Sequence, residues 1–68
     1  MSVKCTAIIQ KEDDWYVASC VENNVASQGK TMEEAVANLK EAIALFYEGG
    51  DAAPEYHPVF VTTLEVAL

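Results

Sequence analysis

Carboxylates are the most abundant groups in this sequence that could do chemistry. Asp and Glu number 11 and Lys and Arg number 4, all of them Lys. A metal-dependent nuclease needs several carboxylates that converge on one or two ions. Here they fall in a polar turn at 12–14, at Glu33 and Glu34 in the first turn of a predicted helix, and at Glu41 on its polar face; none lies within residues 3–10. We therefore interpret them as solvated, and predict no enzyme, no catalytic residue, no metal site and no cofactor.

Net charge limits the class of partner. The chain carries a formal charge of -7 at pH 7, whereas nucleic-acid affinity comes largely from clustered Lys and Arg that neutralise phosphates. We expect a protein without direct DNA binding, and a basic protein is the partner that this charge favours.

The single histidine and the two cysteines have no neighbours that would make them a site. His57 lies between Tyr56 and Pro58, with no local serine or cysteine to pair with, so we interpret it as a surface residue. Cys5 and Cys20 lack metal-ligand spacing and are too few for a secreted disulfide framework. In a reducing compartment we expect them to be small buried hydrophobes.

Two adjacent aromatic residues, Trp15 and Tyr16, could stack on bases. Because no Lys or Arg stands next to them in the sequence, we interpret them as core or interface anchors.

Residues 28–48, QGKTMEEAVANLKEAIALFYE, predict a helix. Thr31 and Glu34 have the spacing of a capping box, in which the Thr31 hydroxyl accepts from the Glu34 amide and the Glu34 carboxylate accepts from the Thr31 amide. Gly49-Gly50 is expected to end the helix in a left-handed conformation. Apolar residues recur at steps of three and four and form one stripe along the helix: Met32, Val36, Leu39, Ile43 and Phe46. A stripe of this kind needs a sheet to pack against.

The remaining apolar segments predict strands, in the order β-β-β-α-β. Residues 3–10 and 15–21 are rich in β-branched types and predict a hairpin, residues 25–27 a short third strand, and residues 59–68, VFVTTLEVAL, the last strand. A loop of residues 11–14 would place Cys5 opposite Cys20, whereas a one-residue slip would separate them, and the sequence leaves this register open. The fold class is therefore α+β, with one helix packed on a mainly antiparallel sheet.

At 68 residues the chain is expected to be one domain, 1–68, with a small stability margin that self-association as a homodimer would raise. It has no apolar run of the length that spans a bilayer and no signal-peptide pattern at its start, so we predict a cytoplasmic protein without membrane contact.

The stretch WYVASCVENNVASQGKTMEEAVANLKEAIALFYE resembles the HicB antitoxin family of type II toxin–antitoxin systems. That family shares the pattern SQG-x-T-x-EEA-x-x-NLKEAI, which this chain matches at Ser27, Gln28, Gly29, Thr31, Glu33, Glu34, Ala35, Asn38, Leu39, Lys40, Glu41, Ala42 and Ile43. The resemblance implies a fold similar to a truncated ribonuclease H without its active site. It also implies a function, which is to bind and neutralise a small basic HicA-type toxin that cleaves messenger RNA.

Two departures from the family pattern bear on this expectation. The turn that commonly contains Pro-Glu-Leu is here Val21-Glu22-Asn23, and longer members carry a C-terminal DNA-binding domain after the last strand, where this chain ends. Two alternative functions are a stand-alone regulatory or structural domain of the same fold without a toxin partner, and a relic metal-dependent nuclease.

Overall fold

The computed structural model describes residues 3–49 and 55–68. Within them the chain forms an antiparallel sheet of three strands in the order β1-β2-β3, followed by one helix, α1. The predicted α+β class, with a helix packed on an antiparallel sheet, is confirmed. The elements are β1 (Ala7–Glu12), β2 (Trp15–Cys20), β3 (Ala26–Gly29) and α1 (Met32–Tyr47).

The first hairpin turns more tightly than the sequence suggested. Glu12 pairs with Trp15, so Asp13 and Asp14 alone connect the strands instead of residues 11–14. Asp13 has a φ of 52°, a left-handed conformation that Asp tolerates better than most residues and that two-residue hairpin turns require. The register therefore places Ala7 opposite Cys20.

The core lies between one face of the sheet and α1. Its buried residues are Ala18 and Cys20 of β2 and Ala35 and Leu39 of α1. Ala18 and Cys20 share a face because side chains alternate along a strand. On the opposite face of the sheet Val17 is only half-buried, as expected when a helix covers one side.

The apolar stripe of α1 is buried in its middle and exposed at its ends. Leu39 is 2% exposed, whereas Met32 and Phe46, which belong to the same predicted stripe, are 48% and 46% exposed. The sheet is shorter than the helix's apolar face, so only the central turns have a surface to pack against.

The start of α1 is capped by Thr31. Its backbone is extended, with φ -129° and ψ 163°, and its Oγ1 accepts from the Glu34 amide at 3.0 Å. The reciprocal bond differs from the prediction, because Glu34 Oε1 accepts from the amide of Lys30, at 3.2 Å, and not from that of Thr31. The cap therefore also orders the residue before it.

Replacing Thr31 by alanine is expected to lower the free energy of unfolding by about 1 kcal/mol, because the Glu34 amide loses its acceptor. Urea denaturation measures the change. Thr31→Ser keeps the hydroxyl and is the control; an equal loss in both variants would show that the methyl group, and not the cap, matters.

At the end of α1, Gly49 does not adopt the left-handed conformation. Glu48 remains right-handed and its N–H donates to the Leu45 carbonyl at 3.2 Å, a tightened last turn. Gly49 has no left-handed φ, and Gly50 lies outside the described residues. The predicted glycine stop is therefore wrong for Gly49.

The predicted last strand is not formed. Residues 55–68, all of them described, contain no strand, and the order in the described chain is β-β-β-α. The alternating pattern of residues 59–68 specifies a strand only if a sheet edge is available as a partner, and here the segment pairs with neither edge. Phe60 and Leu64 are 92% and 77% exposed. In the described parts of the chain no helix has the length and apolarity that crossing a membrane needs.

Candidate functional site

The residues that carry the HicB resemblance lie mainly at the junction of β3 and α1. A Cβ added to the buried Gly29 would come within 2.6 Å of the Ala35 amide nitrogen, and Asn38 Nδ2 donates to the Gln28 carbonyl at 2.8 Å. With the Thr31 cap, these contacts hold the strand against the helix. Several signature positions therefore have packing roles.

A second ordered cluster, which sequence reasoning missed, surrounds Glu22. Its Oε1 accepts from the Thr6 amide at 2.7 Å and its Oε2 accepts from Thr6 Oγ1 at 2.8 Å. The Thr6 N–H is the main cause that lowers the pKa of the Glu22 carboxyl below its ordinary value. A carboxylate directly after an apolar strand, in a turn with two asparagines, was the available signal.

The turn after β2 is fixed by Asn23 as well. Asn23 Oδ1 accepts from the Val25 amide at 3.0 Å, and Asn23 Nδ2 donates to Tyr47 Oη at 3.2 Å. Asn24 takes the left-handed conformation, with φ 60°. The Val21-Glu22-Asn23 departure from the family pattern thus gives an ordered turn that is tied both to the segment before β1 and to the end of α1.

Cys5 and Cys20 are joined in a disulfide, which corrects their interpretation as separate small hydrophobes. Cys20 is buried in the core, as expected, but its sulfur is bonded to Cys5, with the two Cα atoms 6.0 Å apart. The strand register explains why the two cysteines are close enough to bond. Cys20 pairs with Ala7, and Cys5, two residues before Ala7, is its diagonal neighbour on the same face. A shift of two residues keeps the face, whereas a shift of one would reverse it.

In the described chain one group of three potential metal ligands converges, formed by the sulfurs of Cys5 and Cys20 and a Glu22 oxygen within 4.8 Å of one another. Thiolates, and not disulfide sulfurs, bind metals, and both Glu22 oxygens accept bonds from Thr6. With its sulfurs bonded to each other and its carboxylate bonded to Thr6, the cluster acts as a structural link between the segment before β1 and the end of β2.

Glu22 makes a testable contribution to the pH dependence of stability. Because the folded state lowers its pKa, the contribution is full above the unfolded value and is lost as pH falls through the folded pKa. We expect Glu22→Gln to be less stable than the parent at neutral pH, and the difference to shrink below pH 4.5. Urea denaturation at a series of pH values measures this.

The matched control for Glu22→Gln is Glu41→Gln, which removes the same charge from an exposed position on α1. A Glu22→Gln curve parallel to that of the parent at all pH values would contradict the role of the ionised carboxylate.

Most other carboxylates are spread over the surface. Asp13 and Asp14 are exposed at the hairpin tip. Glu33 and Glu41 of α1 and its C-cap residue Glu48 are also exposed and lie within about 80° of one another around the helix axis, at 3.6 residues per turn. We call this row the acidic helix face. The last turn of the helix contains no basic residue, while the exposed Lys40 lies beside Glu33, about 20° away around the axis. Such a surface can attract a cationic partner.

Of the two aromatic residues that we interpreted as core or interface anchors, only Tyr16 packs against the core, and both have a lysine nearby in space. Tyr16 is half-buried against the core, and Trp15 is 40% exposed. Lysines do lie near both: Lys30 Nζ is 5.4 Å from the Trp15 ring centroid and Lys11 Nζ is 6.0 Å from that of Tyr16. The fold brings them together across the sheet and its turns.

His57 is an exposed surface residue, as predicted. Its Nε2 lies 3.9 Å from Glu55 Oε2, and both side chains are largely in solvent. A contact of this kind contributes little.

An apolar groove of about 820 Å³ opens between the β1 side of the sheet and α1. It exists because α1 packs mainly on β3 and β2 and leaves β1 largely uncovered. We call it the β1-edge groove; six of its lining residues are Val3, Cys5, Ala7, Val36, Leu39 and Ile43.

Comparison with known proteins gives one family. The model of a family of unknown function, DUF7387, matches residues 4–62. No curated protein and no solved structure matches the chain significantly. The matched region contains the sheet, the helix and the start of the exposed C-terminal segment.

Proposed function

We propose that this chain, which belongs to the DUF7387 family of unknown function, is a non-enzymatic, HicB-like antitoxin that binds and neutralises a small basic HicA-type toxin. The observation that carries the binding role is the exposed acidic surface on a chain of net charge -7. The toxin as partner follows from the resemblance of the SQG-x-T-x-EEA-x-x-NLKEAI stretch.

Electrostatics gives the mechanism of neutralisation. A toxin that binds RNA needs a cationic surface, and the acidic helix face offers it the opposite charge. Complementary charge speeds the encounter, and an antitoxin bound there excludes RNA from the same surface. The relation to a truncated ribonuclease H fold is part of this proposal, and its basis is the sequence resemblance.

Co-expression with the small basic protein encoded next to this chain tests the proposal. We expect a complex on affinity purification, and protection of messenger RNA that the basic protein alone cleaves. A basic neighbour that neither binds nor is inhibited would refute the antitoxin role. A genome neighbourhood without any small basic reading frame would favour the alternative, a stand-alone regulatory or structural domain.

Two charge-reversal variants locate the contact. Glu33→Lys with Glu41→Lys changes the acidic helix face, and Asp13→Lys with Asp14→Lys changes the hairpin tip by the same charge. We expect the helix pair to slow association more than the tip pair, with the difference decreasing at high salt. Equal effects would indicate general attraction without a defined face.

We place this activity in the cytoplasm, where the messenger RNA would be, without direct DNA binding by this chain. Disulfides are uncommon in that compartment, so a thiol count on protein trapped at extraction tests the placement. Two free thiols per chain would show that Cys5 and Cys20 are reduced there, and none would argue for an oxidising compartment.

A further inference from the structure

We propose that residues 59–68 form an exchange arm, which adds as a fourth strand to the outer edge of β1 in a second copy of the chain and fills that copy's β1-edge groove. The inference does not depend on the antitoxin role. It rests on two observations: within residues 3–49 and 55–68, the apolar C-terminal segment pairs with no strand, and no segment pairs with the outer edge of β1.

The arm leaves apolar side chains in solvent. Phe60, Val61, Leu64 and Val66 are each more than two-thirds exposed. A ten-residue strand can extend about 33 Å, and the molecule measures 46 × 28 × 16 Å with a radius of gyration of 13.7 Å. A compact chain of this length would have a radius of gyration of about 11 Å. The protein is therefore elongated beyond a compact domain.

The receiving edge is the outer side of β1. In the described sheet β1 pairs with β2 alone, so its other side presents backbone donors and acceptors to solvent, a template for another strand. The β1-edge groove lies beside this edge, between β1 and α1.

The pattern of the arm fits this place. Alternation puts Phe60, Leu64 and Val66 on one side of an extended segment, together with Thr62, and puts Val61, Thr63 and Glu65 on the other. The apolar side would contact Val36 and Ile43 in the groove, while the more polar side would face solvent. Glu65 carries the arm's only charged side chain, and the charged residues that line the groove, Lys40 and Glu48, are of opposite sign.

A second copy, and not the chain itself, is the occupant that the structure favours. The segment before the arm lies next to the start of β1, since Lys4 Nζ is 5.3 Å from the Tyr56 ring centroid. From there the described arm continues with its side chains in solvent while its own groove stays open. Symmetric exchange would cover two arms and two grooves at once. It would also enlarge a core that has few buried residues per chain.

Light scattering coupled to gel filtration tests the exchange. We expect the chain, at 7.4 kDa per copy, to elute with twice that mass. Leu64→Asp, which charges the apolar side of the arm, is expected to give a folded monomer by circular dichroism. Thr63→Asp is the matched control, because it adds the same charge on the other side, and should remain a dimer. A Leu64→Asp variant that stays dimeric would overturn the proposal.

A measurement on the unmodified chain separates exchange from closure within one copy. In a mixture of isotope-labelled and unlabelled chains, filtered nuclear Overhauser spectra report contacts between copies only. We expect signals between the Leu64 and Val66 methyls of one copy and the Val36 and Ile43 methyls of the other. The same contacts found only within one copy, in a monomer, would overturn the proposal.

Discussion

Leu39→Ala is expected to lower the free energy of unfolding by about 2–5 kcal/mol, the range for a fully buried leucine. Leu39 is 2% exposed and is one of few residues in the core. A single core in a chain of this size rarely supplies more than about 3–5 kcal/mol. The variant should therefore be largely unfolded at 37 °C, as urea and thermal denaturation would show.

Met32→Ala is the control for Leu39→Ala. Met32 belongs to the same predicted apolar stripe but is 48% exposed, so its truncation should cost about 1 kcal/mol or less. Similar losses at Met32 and Leu39 would mean that the stripe is buried along its whole length, in contradiction to the packing described above.

Gly29→Ala is expected to destabilise the fold by about 3 kcal/mol, the upper part of the usual range for overpacking. The new Cβ would lie 2.6 Å from the Ala35 nitrogen and 2.9 Å from the Glu34 carbonyl carbon. These are backbone atoms at the start of α1, so relief requires the helix to move away from β3. A lower melting temperature, with retained helical circular dichroism below it, is the expected readout.

Gly49→Ala isolates the effect of space from that of backbone entropy. Apart from its own chain neighbours, no atom of the described residues lies within 4 Å of the position that its Cβ would take, and its φ is not left-handed. The substitution should be neutral or stabilise by about 0.4–1 kcal/mol through the unfolded state. Comparable destabilisation by both substitutions would contradict the close contact at Gly29.

Thr31 and Gly29 show which features of the β3–α1 junction could be predicted from the sequence and which could not. Thr31, with Glu34 three residues later, is enough to predict where α1 begins, because a cap depends on groups only a few residues apart. That Gly29 is required by contact with Ala35 is not visible from the sequence, since that contact depends on how β3 meets the helix. The sequence is enough to recognise the SQG-x-T-x-EEA pattern, but the structure is needed to explain why its glycine cannot carry a side chain.

The β1–β2 hairpin also combines a feature that the sequence predicts with one that only the structure shows. Alternating β-branched residues around a polar turn predict two paired strands, but loops of two and of four residues preserve the same face, so side-chain patterning does not choose between them. The tight turn at Asp13 makes that choice, and with it places Cys5 diagonally opposite Cys20. The disulfide and the Thr6–Glu22 bonds follow from this register.

By itself the sequence determined the element types up to the end of α1, the capped start of the helix and its apolar side, all of which depend on short-range periodicity and local hydrogen bonds. Tertiary structure decided which part of that side is buried, the close approach at Gly29 and the state of residues 59–68. A strand exists only when another edge accepts its hydrogen bonds. The alternating pattern of the C-terminal segment specifies what it can pair with, while the fold determines whether an edge is there to receive it.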